Sequence, residues 1–136
     1  EDYLARFPKG WAVEVREVRA ETRGPAVTPA RCMQLEAQRI RKALPEGALV
    51  IALDERGKDV RTADFARMLG RLKDEGRDAA FIIGGPDGLD PALKKECAGM
   101  IRISSMTLPH AMARVLLVEQ VYRAWSILSN HPYHRV

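Results

Sequence analysis

Two short, unbroken apolar runs constrain the fold of this chain more than any other feature. Residues 48–53 and 79–83 lack the polar alternation of a half-exposed strand. Runs of this length and character belong to strands buried on both faces, the interior of a parallel sheet. Between them Phe65, Met68, Leu69 and Leu72 recur at helical spacing, with Thr62 as the expected N-cap and Gly76 at the C′ position. Strand, helix, strand in this order predicts an α/β domain with a mostly parallel sheet.

The remaining punctuation extends that pattern. Residues 1–7 read as the end of a helix stopped by Pro8 and Gly10, and 11–18 as a strand in which Trp11, Val13 and Val15 alternate with polar residues. Thr28 followed by Pro29 marks an N-cap and first-turn proline, opening a helix to about Leu44 with Cys32, Leu35 and Ile40 toward the core. The apolar run 48–53 is expected to break at Asp54-Glu55-Arg56-Gly57. Pro91 opens a short helix and 100–103 reads as a third strand. The last helix, about 111–129, is apolar over most of its circumference, leaving Glu119, Arg123 and Ser126 as its polar stripe. A helix apolar nearly all round is buried on several sides, and in a chain of 136 residues a second subunit is the expected partner.

Composition narrows the function classes. The length allows one domain over 1–136 with a real core. No stretch is long and apolar enough to span a bilayer, so no membrane partner is expected. Cys32 and Cys97 stand far apart without a metal-ligand pattern and read as reduced thiols, which places the protein in the cytoplasm. The formal net charge of +4 favours an anionic partner such as nucleic acid, although an Arg- and Ala-rich coding bias produces the same balance.

Three loops, 54–61, 84–90 and 104–110, follow the three predicted strands. Ligands of open α/β sheets bind outside the carboxyl ends of the strands, so these loops are the expected site. Gly84-Gly85-Pro86-Asp87-Gly88 lets backbone approach a ligand, or simply makes a tight strand-to-helix connection. It carries neither a P-loop ending nor G-x-G-x-x-G, so phosphate cradling and dinucleotide binding lose their main support. Ser104 and Ser105 lack a nucleophile-elbow context, and nothing pairs them with His110, His131 or His134. The tail from Asn130 to Arg135 concentrates His, Tyr and Arg, groups that stack on bases and contact phosphate.

Several motifs coincide in order and spacing: Leu53-Asp54-Glu55-Arg56-Gly57, Gly76-Arg77-Asp78, Ile82 to Gly88, Thr107-Leu108-Pro109-His110, Glu119 to Trp125, and Asn130-His131-Pro132-Tyr133-His134-Arg135. Together they closely resemble the RlmH family, pseudouridine N3-methyltransferases of bacterial large-subunit ribosomal RNA, which belongs to the SPOUT class. The resemblance implies an α/β sheet with helices on both faces, a C-terminal trefoil knot and a homodimer. It implies S-adenosylmethionine as cofactor, held by Leu53, by Gly84 and Gly85, and by Ile103, Ser104, Ser105, Met106, Thr107 and Leu108. It places Tyr133, His134 and Arg135 near the target base. The family begins with one further strand and turn, so a leading segment of about twenty residues separates this chain from the family pattern.

The implied reaction is in-line transfer of a methyl group to N3 of a pseudouridine in 23S ribosomal RNA, without metal or covalent enzyme intermediate. His134 is the candidate base for the N3 proton, and Arg135 or Arg114 the candidate for stabilising the resulting anion. The alternative from another class is a non-catalytic RNA- or ribosome-binding protein that keeps the fold without the activity.

Overall fold

The computed structural model describes residues 24–84, 88–104, 108, 110–130 and 133. The expected helix end at 1–7 and strand at 11–18 lie outside the described residues. The described elements run α1 (Pro29–Ala43), β1 (Leu49–Asp59), α2 (Thr62–Asp74), β2 (Ala79–Ile83), α3 (Pro91–Glu96), β3 (Gly99–Arg102) and α4 (His110–Leu128). The three strands form one parallel sheet in the order β2-β1-β3.

Local chemistry sets most boundaries. Thr28 caps α1, its hydroxyl oxygen accepting from the Arg31 N–H at 3.1 Å, with Pro29 in the first turn. Gly76 closes α2 at φ +67°, with the Arg77 N–H on the Leu72 carbonyl and the Gly76 N–H on that of Lys73, the paired bonds of a Schellman end. Asp90 caps α3 through the Leu93 N–H at 3.2 Å.

Four boundaries and roles differ from expectation. Strand β1 does not stop at Asp54. It makes an excursion over 54–57 and resumes, so that Ile101 faces both Leu53 and Lys58. Arg61, not Thr62, is the N-cap of α2, and the Thr62 hydroxyl donates instead to Gln120 Oε1 at 2.9 Å. Strand β3 begins and ends one residue earlier than predicted. Ser126 is fully buried rather than part of a polar stripe, because its hydroxyl is satisfied by the Arg123 carbonyl at 2.7 Å.

Helices cover both faces of the sheet. On one, Leu53 packs with Phe65, Ala66 and Leu69 of α2 and Leu117 and Ala124 of α4. On the other, Ala52 and Ile82 pack with Ala37 of α1 and Leu93 of α3. The connections β1–α2–β2 and β2–α3–β3 step in opposite directions along the sheet, and their helices lie on opposite faces, as crossovers of one hand require. At Gly70 of α2 an added Cβ would stand 2.9 Å from a Leu128 methyl carbon of α4, the end of a flexible side chain that can swing aside. In this single chain Met112, Val115 and Leu128 of α4 stay exposed.

Candidate functional site

A parallel sheet brings its three carboxyl ends to one edge, and the register fixes their neighbours. Leu53 faces Ile83 on one side and Ile101 on the other. The residues that follow those partners, Gly84 and the pair Ile103 and Ser104, therefore leave the sheet beside Leu53. Leu53 is itself buried in the core, while Ile103 packs against that core from the edge. Gly84 must be glycine in this conformation. An added Cβ would stand 2.5 Å from the Gly88 carbonyl carbon and 2.7 Å from the Leu89 nitrogen, and backbone cannot swing aside. Gly88 turns the loop at φ +86°.

The loop after β1 is held by charge. Asp54 Oδ1 accepts the Arg56 N–H at 2.8 Å, and Asp54 Oδ2 accepts from the Lys94 ammonium at 3.1 Å. Burial alone would push this carboxyl up. The Arg56 N–H and the Lys94 ammonium outweigh burial and hold it below its ordinary value of 3.8. Lys94 does not stand out in the sequence, because it acts through a partner 40 residues away, and Gln120 lies in the Glu119 to Trp125 motif without its bond to Thr62 being foreseeable.

Behind the glycine loop lies a hollow of about 10 Å³, lined by Glu36 and Ile40 of α1 together with Gly84, Gly88, Leu89 and Asp90. Both carboxylates are buried. Sites for ligands of cofactor size measure roughly 300 Å³ or more, so this pocket supports the loop rather than holding a nucleoside. Buried Glu36 is a residue that reading the sequence missed, since a glutamate in an amphipathic helix ordinarily faces water.

At the other end of α4, Tyr133 folds back onto the helix. Its hydroxyl donates to Glu119 Oε1 at 3.1 Å, its ring meets Tyr122 edge-on at 4.4 Å, and the Arg123 guanidinium lies 5.2 Å from its centroid. Glu119 and Arg123 make the ion pair expected from their i, i+4 spacing. Arg114 is half-buried in the second turn of α4. Leu53, Gly84, Ile103 and Ser104 are thus brought together, with Leu108 following and half-buried. Gly85, Ser105, Met106, Thr107, His134 and Arg135 lie outside the described residues.

The donor set at this edge fits a nucleoside better than a polyphosphate. Its described cofactor candidates, Leu53, Gly84, Ile103, Ser104 and Leu108, offer backbone polar groups, one hydroxyl and apolar side chains, and none of them is cationic. A parallel α/β sheet with three loops at its carboxyl edge is the usual frame of a ligand site in open α/β folds. A family model described as predicted SPOUT methyltransferase matches residues 1–134, and the chain belongs to this family. It is similar to proteins named ribosomal RNA large subunit methyltransferase H. One from Bordetella avium is 58% identical over 135 residues, covering 99% of this chain and 86% of that one. Others from Ralstonia pickettii and Burkholderia thailandensis are 57% and 53% identical with the same coverage.

Proposed function

We propose that this protein methylates N3 of a pseudouridine in large-subunit ribosomal RNA, with S-adenosylmethionine as methyl donor. One observation carries the reading. Leu53, Gly84, Ile103 and Ser104, which the family motifs mark for the cofactor, fall at adjacent carboxyl ends of one parallel sheet, in a chain more than half identical to named ribosomal RNA methyltransferases. In this reading the segment from Ile103 to His110 belongs to a trefoil knot, and two subunits associate through α4.

Leu53, Gly84, Gly85 and the run Ile103, Ser104, Ser105, Met106, Thr107, Leu108 hold the cofactor. When bound it supplies an electrophilic methyl group on a sulfonium sulfur. The protein's own task is to present N3 on the far side of that methyl, in line with the bond that breaks. N3 carries a proton and attacks only once the proton leaves. His134 accepts it, while Arg135 and Arg114 favour the anion. Tyr133 itself is tied to Glu119 and Tyr122.

The test is transfer of tritium from labelled S-adenosylmethionine to ribosomes from a strain lacking the enzyme, followed by nucleoside analysis. Label in N3-methylpseudouridine is the expected result. Label in another nucleoside would reassign the target, and binding of ribosomes without transfer would favour a non-catalytic role.

A further inference from the structure

The excursion that interrupts β1 is braced at several points. Asp54 is fixed by the Arg56 N–H and the Lys94 ammonium. Gly57 lies flush on the Ile101 backbone, where a Cβ would come within 2.6 Å of the carbonyl carbon. Lys58 and Asp59 then pair with Ile101 and Arg102, and the Arg102 guanidinium donates to Asp59 Oδ1 at 2.9 Å. Arg61 occupies the N-cap position of α2, its carbonyl accepting the Phe65 N–H at 2.9 Å, and the next residue, Thr62, is bonded to Gln120.

Three cations ride on this frame. Arg56, Lys58 and Arg61 are exposed, and none forms an ion pair with another described residue, whereas neighbouring Lys94 and Arg102 are each committed to a carboxylate. Lys58 faces Ile101, two residues before Ile103, so the three sit at the same sheet edge as the cofactor loops. We infer that Arg56, Lys58 and Arg61 form a phosphate-binding lip that seats the RNA backbone beside the target nucleotide. This deepens, and rests on, the ribosomal RNA methyltransferase reading above. Cations on an already ordered backbone lose little further freedom when they meet phosphate. Such contacts set register and orientation without reading sequence, which is what an enzyme needs when it must bring one nucleotide to a fixed methyl group.

The experiment compares the triple variant Arg56→Ala, Lys58→Ala, Arg61→Ala with a control of equal charge change. Lys42→Ala, Arg71→Ala, Lys95→Ala serves, because these exposed residues lie near the C-terminal ends of α1, α2 and α3, toward the opposite edge of the sheet. Binding of a labelled large-subunit RNA fragment is measured from low to high salt, with methyl transfer to ribosomes and calorimetric binding of S-adenosylmethionine alongside. The lip variant should lose about 2 units of slope in log affinity against log salt, since each phosphate contact contributes roughly 0.7 to 0.9. Its transfer rate at low substrate should fall about tenfold or more, with cofactor affinity unchanged. The swap Arg56→Lys, Lys58→Arg should keep the unaltered slope. A slope equal to that of the control overturns the lip, even where the unaltered protein methylates ribosomes normally. Weakened cofactor binding also overturns it, because the cations would then serve the cofactor carboxylate. If the unaltered protein transfers no methyl group, the enzymatic reading fails, and the RNA-binding slopes decide the lip by themselves.

Discussion

Gly57 shows how one residue fixes the geometry of the site. The nearest atoms to a Cβ at that position are the carbonyl carbon, nitrogen and Cα of Ile101, all within 2.8 Å and all backbone. Gly57→Ala must therefore push β1 and β3 apart, a form of overpacking that costs about 1–3 kcal/mol. Gly99→Ala is the matching control, since a Cβ at Gly99 meets nothing within 4 Å. Thermal unfolding should show a clear loss for Gly57→Ala and almost none for Gly99→Ala; equal midpoints would mean that the excursion yields. Asp54 gives a pH test on the same loop. Its folded carboxyl is held below 3.8, so between the folded and unfolded values the unfolded chain binds more protons. Stability contributed by Asp54 is then complete above about pH 4 and is lost as pH falls through the folded value. Urea unfolding should separate the native protein from Asp54→Asn at pH 6, and the gap should shrink toward pH 3. A gap that stays constant would show that the Lys94 contact contributes nothing.

At the scale of elements, what could be read in the sequence is what local chemistry decides. The capped start of α1 at Thr28 and Pro29, the glycine end of α2 and the two apolar strands are written in adjacent residues. The re-entry of β1 after Gly57 is not, because Asp54-Glu55-Arg56-Gly57 has the composition of a turn and only contact with Ile101 returns it to the sheet. The candidate site followed the same division. The ends of the strands that feed it were foreseeable, although the expected 54–61 loop is in part strand, whereas the contacts of Lys94 and Gln120 and the burial of Glu36 depend on distant elements and left no local signal. Helix α4 mixes both kinds of information. Its apolar circumference is plain, but which residues serve the chain's own core is a matter of packing. Leu117 is buried against Leu53 and α2, whereas Met112 and Val115 are 49% and 42% exposed. Leu117→Ala should therefore cost about 2–5 kcal/mol of fold stability. Met112→Glu with Val115→Glu should leave the unfolding midpoint of the subunit nearly intact and convert a dimer to a monomer in sedimentation at micromolar concentration. A doubly substituted protein that still sediments as a dimer would move the proposed interface off this face.

At the scale of the whole molecule, the proposed dimer poses a choice between a tail that serves its own subunit's cofactor loops and one that serves the partner's. Tyr133 is anchored on α4 of its own chain by Glu119, Tyr122 and Arg123, and α4 is the helix proposed to meet the second subunit. A tail that starts from that helix is well placed to serve the partner's cofactor loops rather than its own. Two variants distinguish the arrangements: Gly85→Val, which disables a cofactor loop, and a chain ending at Pro132, which lacks the tail. Each alone should transfer almost no methyl groups. Unfolded together and refolded at equal amounts, they should give about half mixed dimers by random pairing of a two-fold assembly. If the tail serves the partner, one of the two sites in each mixed dimer receives an intact loop from one chain and an intact tail from the other. Transfer should then return to roughly a quarter of the native rate per subunit. If loop and tail of the same chain form each site, every site in the mixture is damaged and no activity returns. Calorimetry with S-adenosylmethionine checks the mixture independently, since tail-truncated subunits with intact loops should still bind cofactor. Cofactor binding without recovered transfer would place the tail over its own subunit's loops.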